Sequence, residues 1–214
     1  MSYAIPSLTR VPMTEKGITI ADFLVPVRIG ERTSPLLRHI LLVITGAVLI
    51  YLTARIAVTI PGNPVPYTLQ NVGILVVGGA LGLRRGGAAA LLYLLLGVVG
   101  LPFFAQGTGG FSVILGATGG YLIGFVVAAA LVGRLAELGW DRHIGGSLGA
   151  TLLGTAVIYL VGVPWLAVVT GMSAADAVKN GLLPFVLVDL VKLAAAAAVF
   201  PAAWWVVGRR PSDR

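Results

Sequence analysis

Asp189 and Lys192 are the two residues of this 214-residue chain whose types and spacing most invite chemistry. They lie three apart within an apolar run, so on a helix they share a face. An ionisable group at membrane depth costs several kcal/mol and as a rule faces a cavity or a partner. The pair reads either as a polar ligand site or as a self-neutralising pair that steadies the helices. In the first reading the Asp accepts N–H groups and the Lys donates to an oxygen. The functional default for intramembrane charges favours it.

Two further stretches carry polar groups in suggestive places. In Pro66-Tyr67-Thr68-Leu69-Gln70-Asn71, Thr68 can cap a following helix, and Gln70 or Asn71 can offer an amide to a ligand. The alternative there is capping alone, with an interfacial amide. Gly100 to Phe111 and Gly116 to Tyr121 are glycine-rich and uncharged. Glycine lets backbone approach a ligand closely, and Phe103, Phe104 and Tyr121 can supply an apolar wall. No Lys follows these glycines, so they are not a phosphate loop, and a re-entrant loop with no ligand is the alternative. Tyr159 and Trp165 read as interfacial anchors near the outer end of a span. Arg55 reads as a snorkelling side chain or an attractor of anions. His39 and His143 are assigned no metal role.

The elements that must hold these residues are membrane helices. Hydrophobic residues make up 57% of the chain and charged residues 11%, against about 25% charged in a soluble domain. That leaves too little charge to coat a water-facing surface. Six apolar stretches follow a polar segment, near 39–60, 68–83, 86–101, 118–138, 144–168 and 183–207. The reading is an all-α integral membrane protein, a six-transmembrane-helix bundle over 38–210 preceded by a cytoplasmic segment, 1–37. The second and third stretches are separated only by Arg84, Arg85 and Gly86, which predicts a tight turn there. Within the 1–37 segment the alternatives are a short surface segment near 18–27 and disorder throughout. The first long apolar run, starting near Ile40, is expected to serve as its own insertion signal.

The net charge of +7 comes from bases lying between apolar runs rather than in a patch, which argues for topology and against nucleic acid. Twelve of the fifteen Lys and Arg fall on one side of the predicted bundle, two on the other (Arg55 and Lys179), and Lys192 lies within the last span. Positive charge marks the inside, so both termini are expected in the cytoplasm. The outer connections lack the charge of solvated loops and are expected to fold back over something. One of them holds Ser173-Ala174-Ala175-Asp176, a variant capping box that predicts a short helix stopping at Gly181. No cysteine, metal-ligand cluster, Ser–His–acid grouping or Walker motif is present, so enzymatic readings find little support and ATP binding by a P-loop is excluded.

At these same residues the chain resembles the BioY family, the biotin-binding S components of energy-coupling factor transporters. Five segments carry the resemblance, in order: Pro64 to Gln70; Gly100-Leu101-Pro102 through Gly109-Gly110; Thr118 to Phe125; Tyr159 through Trp165-Leu166; and Pro184-Phe185 through Asp189 and Lys192. The resemblance as a whole covers roughly residues 40–207. Two positions depart from the family pattern. Leu187-Val188 stands where Pro-Gly is common, which bears on where the last helix begins. Gln106 stands where glycine is common, which bears on how the loop folds.

The resemblance implies a bundle that captures biotin from outside and no enzymatic activity. It maps the polar-head ligands onto Asp189 and Lys192, and it places Thr68, Gln70, Thr108 and Tyr121 in motifs bordering the pocket. It also implies partners: a membrane coupling subunit and two cytoplasmic ATPases, in keeping with the missing Walker motif. No cofactor is implied beyond biotin as transported ligand. Another small vitamin, a polytopic membrane enzyme and a purely structural subunit are the competing readings.

Overall fold

The computed structural model describes residues 19–24, 35–59 and 61–208. Most of the expected 1–37 segment and the C-terminal bases Arg209, Arg210 and Arg214 lie outside the described residues. Eight α-helices occur among those described: α1 (Ile20–Leu24), α2 (Pro35–Arg55), α3 (Gln70–Val98), α4 (Phe111–Leu115), α5 (Gly119–Glu137), α6 (Ile144–Thr170), α7 (Ala174–Gly181) and α8 (Leu183–Gly208). Five helical stretches among the described residues are long and apolar enough to cross a membrane.

One of the five, α3, is two rods. Its backbone leaves the helical region at Gly82, with φ 84° and ψ 178°, a conformation open essentially to glycine alone. The chain reverses there. A Cβ placed on Gly86 would stand 2.8 Å from the Gly78 Cα, and the Gln70 side chain bonds that of Tyr93, twenty-three residues on. The arms, 70–81 and 83–98, are therefore antiparallel and about 18 and 24 Å long. Both are shorter than the roughly 30 Å hydrocarbon core. Six rods result, in agreement with the six stretches read from the sequence. The turn is displaced from its expected place at 84–86: Arg84, Arg85 and Gly86 already belong to the second arm. The physical reason is a cap from another helix, since Glu137 Oε1 accepts the Leu83 N–H at 2.9 Å.

The arms of α3 pack on α5 and α2, and α5 packs in turn on α6. The contact of α3 with α5 depends on Gly78, where a Cβ would come within 2.5 Å of the Ala129 carbonyl oxygen. The outside of the bundle is apolar: Leu36, Ile40, Ile44 and Leu52 on α2 and Leu187 and Val191 on α8 are all exposed. Such a surface is stable against lipid tails and not against water. Pro164 and Pro201 lie inside α6 and α8, as membrane helices tolerate.

The inner end is tied by ion pairs. Thr19 and α1 dock beside the Gly82 turn, within the stretch for which a surface segment is one of the two alternatives. The Asp22 carboxylate accepts from Arg85 at 2.8 and 2.9 Å, from Arg38 at 3.2 Å, and from the Thr19 N–H and hydroxyl. Burial alone would raise the Asp22 pKa, but the hydrogen bonds and charge of Arg85 and the bonds from Thr19 prevail and hold it below the ordinary carboxylate value. Asp141, between α5 and α6, is also buried and accepts from Trp204 Nε1 at 2.7 Å. Burial dominates there and raises its pKa, against the opposing pull of Trp204 and Arg142.

The outer connections are short structured pieces rather than loose loops. Strands β1 (Ala57–Val58) and β2 (Tyr67–Thr68) pair antiparallel, with Ala57 opposite Thr68, a small β element in a bundle read as all-α. Ser173 caps α7, its Oγ accepting the Asp176 N–H at 3.1 Å, and the helix ends at Gly181 as the capping box predicted. Asn63 Nδ2 donates to the Asn180 carbonyl, and the Tyr67 hydroxyl to that of Pro184. Trp165 Nε1 donates to the Gly116 carbonyl. These three bonds lock the connections to one another and to the helices beneath.

Candidate functional site

Beneath the locked connections lies a cavity of about 280 Å³. This is close to the lower end of the range, ~300–1,000 Å³, in which small-molecule sites fall. Asp189 and Lys192 reach it from α8, about two turns and three turns below the outer start of that helix. Asp189 is 4% exposed. Its Oδ1 accepts from Lys192 Nζ at 3.1 Å and its Oδ2 from the Tyr159 hydroxyl at 2.5 Å. Lys192 Nζ also donates to the Thr68 carbonyl at 2.8 Å. The charged pair does neutralise itself, and both members line the cavity as well. The two readings of the pair are not exclusive.

All six residues singled out as site candidates, Asp189, Lys192, Gln70, Thr68, Thr108 and Tyr121, line this one cavity. Besides α8, the β ribbon, the start of α3, the loop at 105–108 and α5 bring them there. The β ribbon turns the Thr68 carbonyl toward Lys192, while the Thr68 hydroxyl accepts the Gln70 N–H at the start of α3. Gln70 is buried and donates from Nε2 to the Tyr93 hydroxyl at 2.9 Å, so its Oε1 has no protein partner among the described residues. The Thr108 hydroxyl closes the loop turn on the Ala105 carbonyl, and the Tyr121 hydroxyl donates to the Gly181 carbonyl. Phe104, Leu122, Phe125, Ile158 and Phe185 supply the apolar wall. Phe103, expected in that wall, instead stacks on Tyr51 at 4.7 Å and does not line the cavity.

The BioY family model matches residues 19–209, almost the whole chain. The chain belongs to the BioY family. Among its relatives is the "Biotin transporter BioY" of Thermotoga maritima, 39% identical over 142 residues, 66% of this chain and 82% of the relative. The "Probable biotin transporter BioY" of Pyrococcus horikoshii is 40% identical over 146 residues, 68% of this chain and 83% of the relative. A crystal structure described as the S-component for biotin from an ECF-type ABC transporter superposes with a TM-score of 0.73 at 26% identity, covering 79% of this chain and 92% of that one.

Within the BioY family the two departures in this chain prove local. Leu187 and Val188 lie inside a continuous α8 that starts at Leu183, and both face outward, Leu187 being 77% exposed. Gln106 adopts φ 60°, the left-handed region where glycine carries no penalty. The loop thus keeps a glycine-like shape at the cost of about 1–2 kcal/mol of backbone strain.

Tyr159 corrects the sequence reading. It is no interfacial anchor: it lies about 16 Å inside the outer end of α6 and gives its proton to Asp189. Trp165 is likewise a clamp on the Gly116 turn, packed over Gly119 and Gly120, rather than an anchor. Phe125, the last residue of the Thr118 to Phe125 segment, also lines the cavity, as does Thr155, which nothing in its apolar surroundings marked beforehand. The depth of Tyr159 below the predicted end of its span was the one available signal. Arg55 is exposed at the outer rim, 6.0 Å over the Tyr51 ring and against the backbone of Gly107.

Proposed function

We propose that this chain captures biotin from outside the cell and is the substrate-binding S component of an energy-coupling factor transporter, a multi-pass protein of the cell membrane. The observation that carries the reading is an Asp–Lys pair, its carboxylate buried, with spare hydrogen-bonding capacity at the edge of a partly open, largely apolar cavity. Biotin has matching parts. Its ureido group offers two N–H donors and one oxygen, which suit the Asp189 carboxylate and the Lys192 ammonium. Its thioether ring and valeryl chain suit the wall of Phe104, Leu122, Phe125, Ile158 and Phe185. Gln70 Oε1 is a second acceptor for the polar head, and Thr68 holds Lys192 in place through its carbonyl. Tyr121 and Thr108 fix the α7 end and the loop that cover the ligand.

The protein binds and moves its ligand and does not convert it; the relatives are named transporters. Energy comes from outside the chain, through a membrane coupling subunit and two cytoplasmic ATPases, and both termini face those ATPases. A melting experiment on the purified protein in detergent, run with biotin and a panel of other small vitamins, tests the ligand. Biotin raises the melting temperature and the other vitamins do not. A larger shift with another vitamin sinks the assignment to biotin, and no shift with any sinks the capture reading.

A further inference from the structure

The threonines of α6 behave differently from one another. Thr151 donates its hydroxyl proton to the carbonyls of Ser147 and Leu148, and Thr170 donates to that of Leu166. This back-bonding is the ordinary fate of a threonine in an apolar helix, because it satisfies the hydroxyl at no cost in partners. Thr155 forgoes it. Its Oγ has no hydrogen-bond partner although the residue is 7% exposed. Four buried side-chain atoms among the described residues share that state, and Thr155 is the one of their four residues that lines the ligand cavity, its Oγ turned away from the open space.

A buried hydroxyl without a partner is costly, so it persists where something outside the chain completes it. Its place says which part of a ligand that is. Thr155 lies one turn inward of Tyr159 on the same face of α6, and Tyr159 is bonded to Asp189. It therefore belongs to the deep, charged end of the cavity, away from the loop at 105–108. The donors already there are partly spent. Tyr159 gives its one proton to Asp189, and Lys192 gives two of its three to Asp189 and Thr68. A ligand carbonyl oxygen has two lone pairs to fill.

We infer that the Thr155 hydroxyl, turned into the cavity by a change between the two χ1 rotamers open to a helical threonine, is a ligand contact, donating to the ureido oxygen of bound biotin. The inference rests on the capture of biotin proposed above and adds a residue to its polar-head recognition. Thr155 thereby favours ligands with an acceptor at that depth.

The test compares the wild-type chain with Thr155→Val and Thr155→Ser, titrating purified full-length protein in detergent with biotin and with biotin methyl ester, and recording ligand-free melting. Valine keeps the shape and removes the hydroxyl. Its affinity for biotin falls about tenfold, while serine stays within about twofold. The methyl ester loses the same factor, because the contact is on the ring and not the tail. Ligand-free Thr155→Val melts at the wild-type temperature or above, since an unpaired buried hydroxyl has gone. Undiminished biotin binding by Thr155→Val overturns the inference. So does a loss shared by Thr155→Ser and accompanied by a lower ligand-free melting temperature, which marks a packing role. A wild-type chain that does not bind biotin removes the functional reading itself. Loss in Asp189→Asn without loss in Thr155→Val removes this inference alone.

Discussion

Asp22 at the inner end and Asp189 at the outer end are both carboxylates tied to a neighbouring cation, and they are used in opposite ways. Asp22 accepts five hydrogen bonds, two from Thr19, one from Arg38 and two from Arg85. An ionised carboxylate has about four lone-pair sites, so Asp22 has nothing left to offer. Asp189 accepts two, from Lys192 and Tyr159, and its remaining capacity lies beside a cavity. The difference separates an acid that fastens the fold from one poised for a ligand. Asp141 shows that an unfilled acceptor is not enough. Its Oδ1 also lacks a partner, but Asp141 does not line the cavity.

The sharpest way to break this contrast is to remove the cation at each end. Lys192→Met leaves Asp189 without its counter-ion inside a span. Loss of stability on the order of 3 kcal/mol is expected, together with loss of biotin binding. Denaturation of the ligand-free variant and a biotin titration check both halves. Retention of full affinity would remove the charged pair from the site.

Asp22→Asn is the companion change. It weakens three charge-assisted partners that are partly solvent-screened, so about 1–2 kcal/mol of stability goes while biotin affinity holds. A change in affinity as large as that from Lys192→Met would erase the distinction between the two acids.

Acid sharpens the same point. The folded-state pKa of Asp22 lies below its unfolded value, so its contribution is fully present above the ordinary carboxylate pKa of 3.8 and is lost as pH falls through the folded value. Melting followed below about pH 4 should decline more steeply in the wild type than in Asp22→Asn. Asp141 has the opposite sign. Its folded pKa is raised, so a stability loss sets in as pH rises past the unfolded value of 3.8 and is complete above the folded one, and Asp141→Asn should not lower stability at neutral pH.

The smallest effect concerns the loop over the cavity. Gln106→Gly relieves a left-handed side chain and, after glycine's added unfolded-state entropy, is expected to change stability by less than about 1 kcal/mol. Thermal melting of the variant measures it, and a clear loss would mean that the Gln106 side chain makes a contact stronger than its strain.

Much of this molecule was legible because charge is rare in it. Asp189 and Lys192 stand out against an apolar run, and the same scarcity made the spans and the asymmetry of the bases readable. The capping box at Ser173 was legible because its chemistry is local. Tyr159 and Thr155 gave no such contrast: their place in the site became visible only when α6 was packed against α8. The hinge was misplaced by a few residues because Arg84-Arg85 resembles a polar turn, whereas the break at Gly82 is set by its φ and by Glu137, fifty-five residues on. The docking of α1 depends on Arg38 and Arg85, partners that local pattern does not pair.

Calorimetric titration of biotin into the purified wild-type chain and into Asp189→Asn, both melting normally without ligand, tests the central claim most directly. One site per chain is expected in the wild type, and the variant should bind at least about thirtyfold more weakly, the scale of a lost charge-assisted hydrogen bond. Equal affinity in the two proteins would contradict the assignment of Asp189 as the acid that receives the ligand.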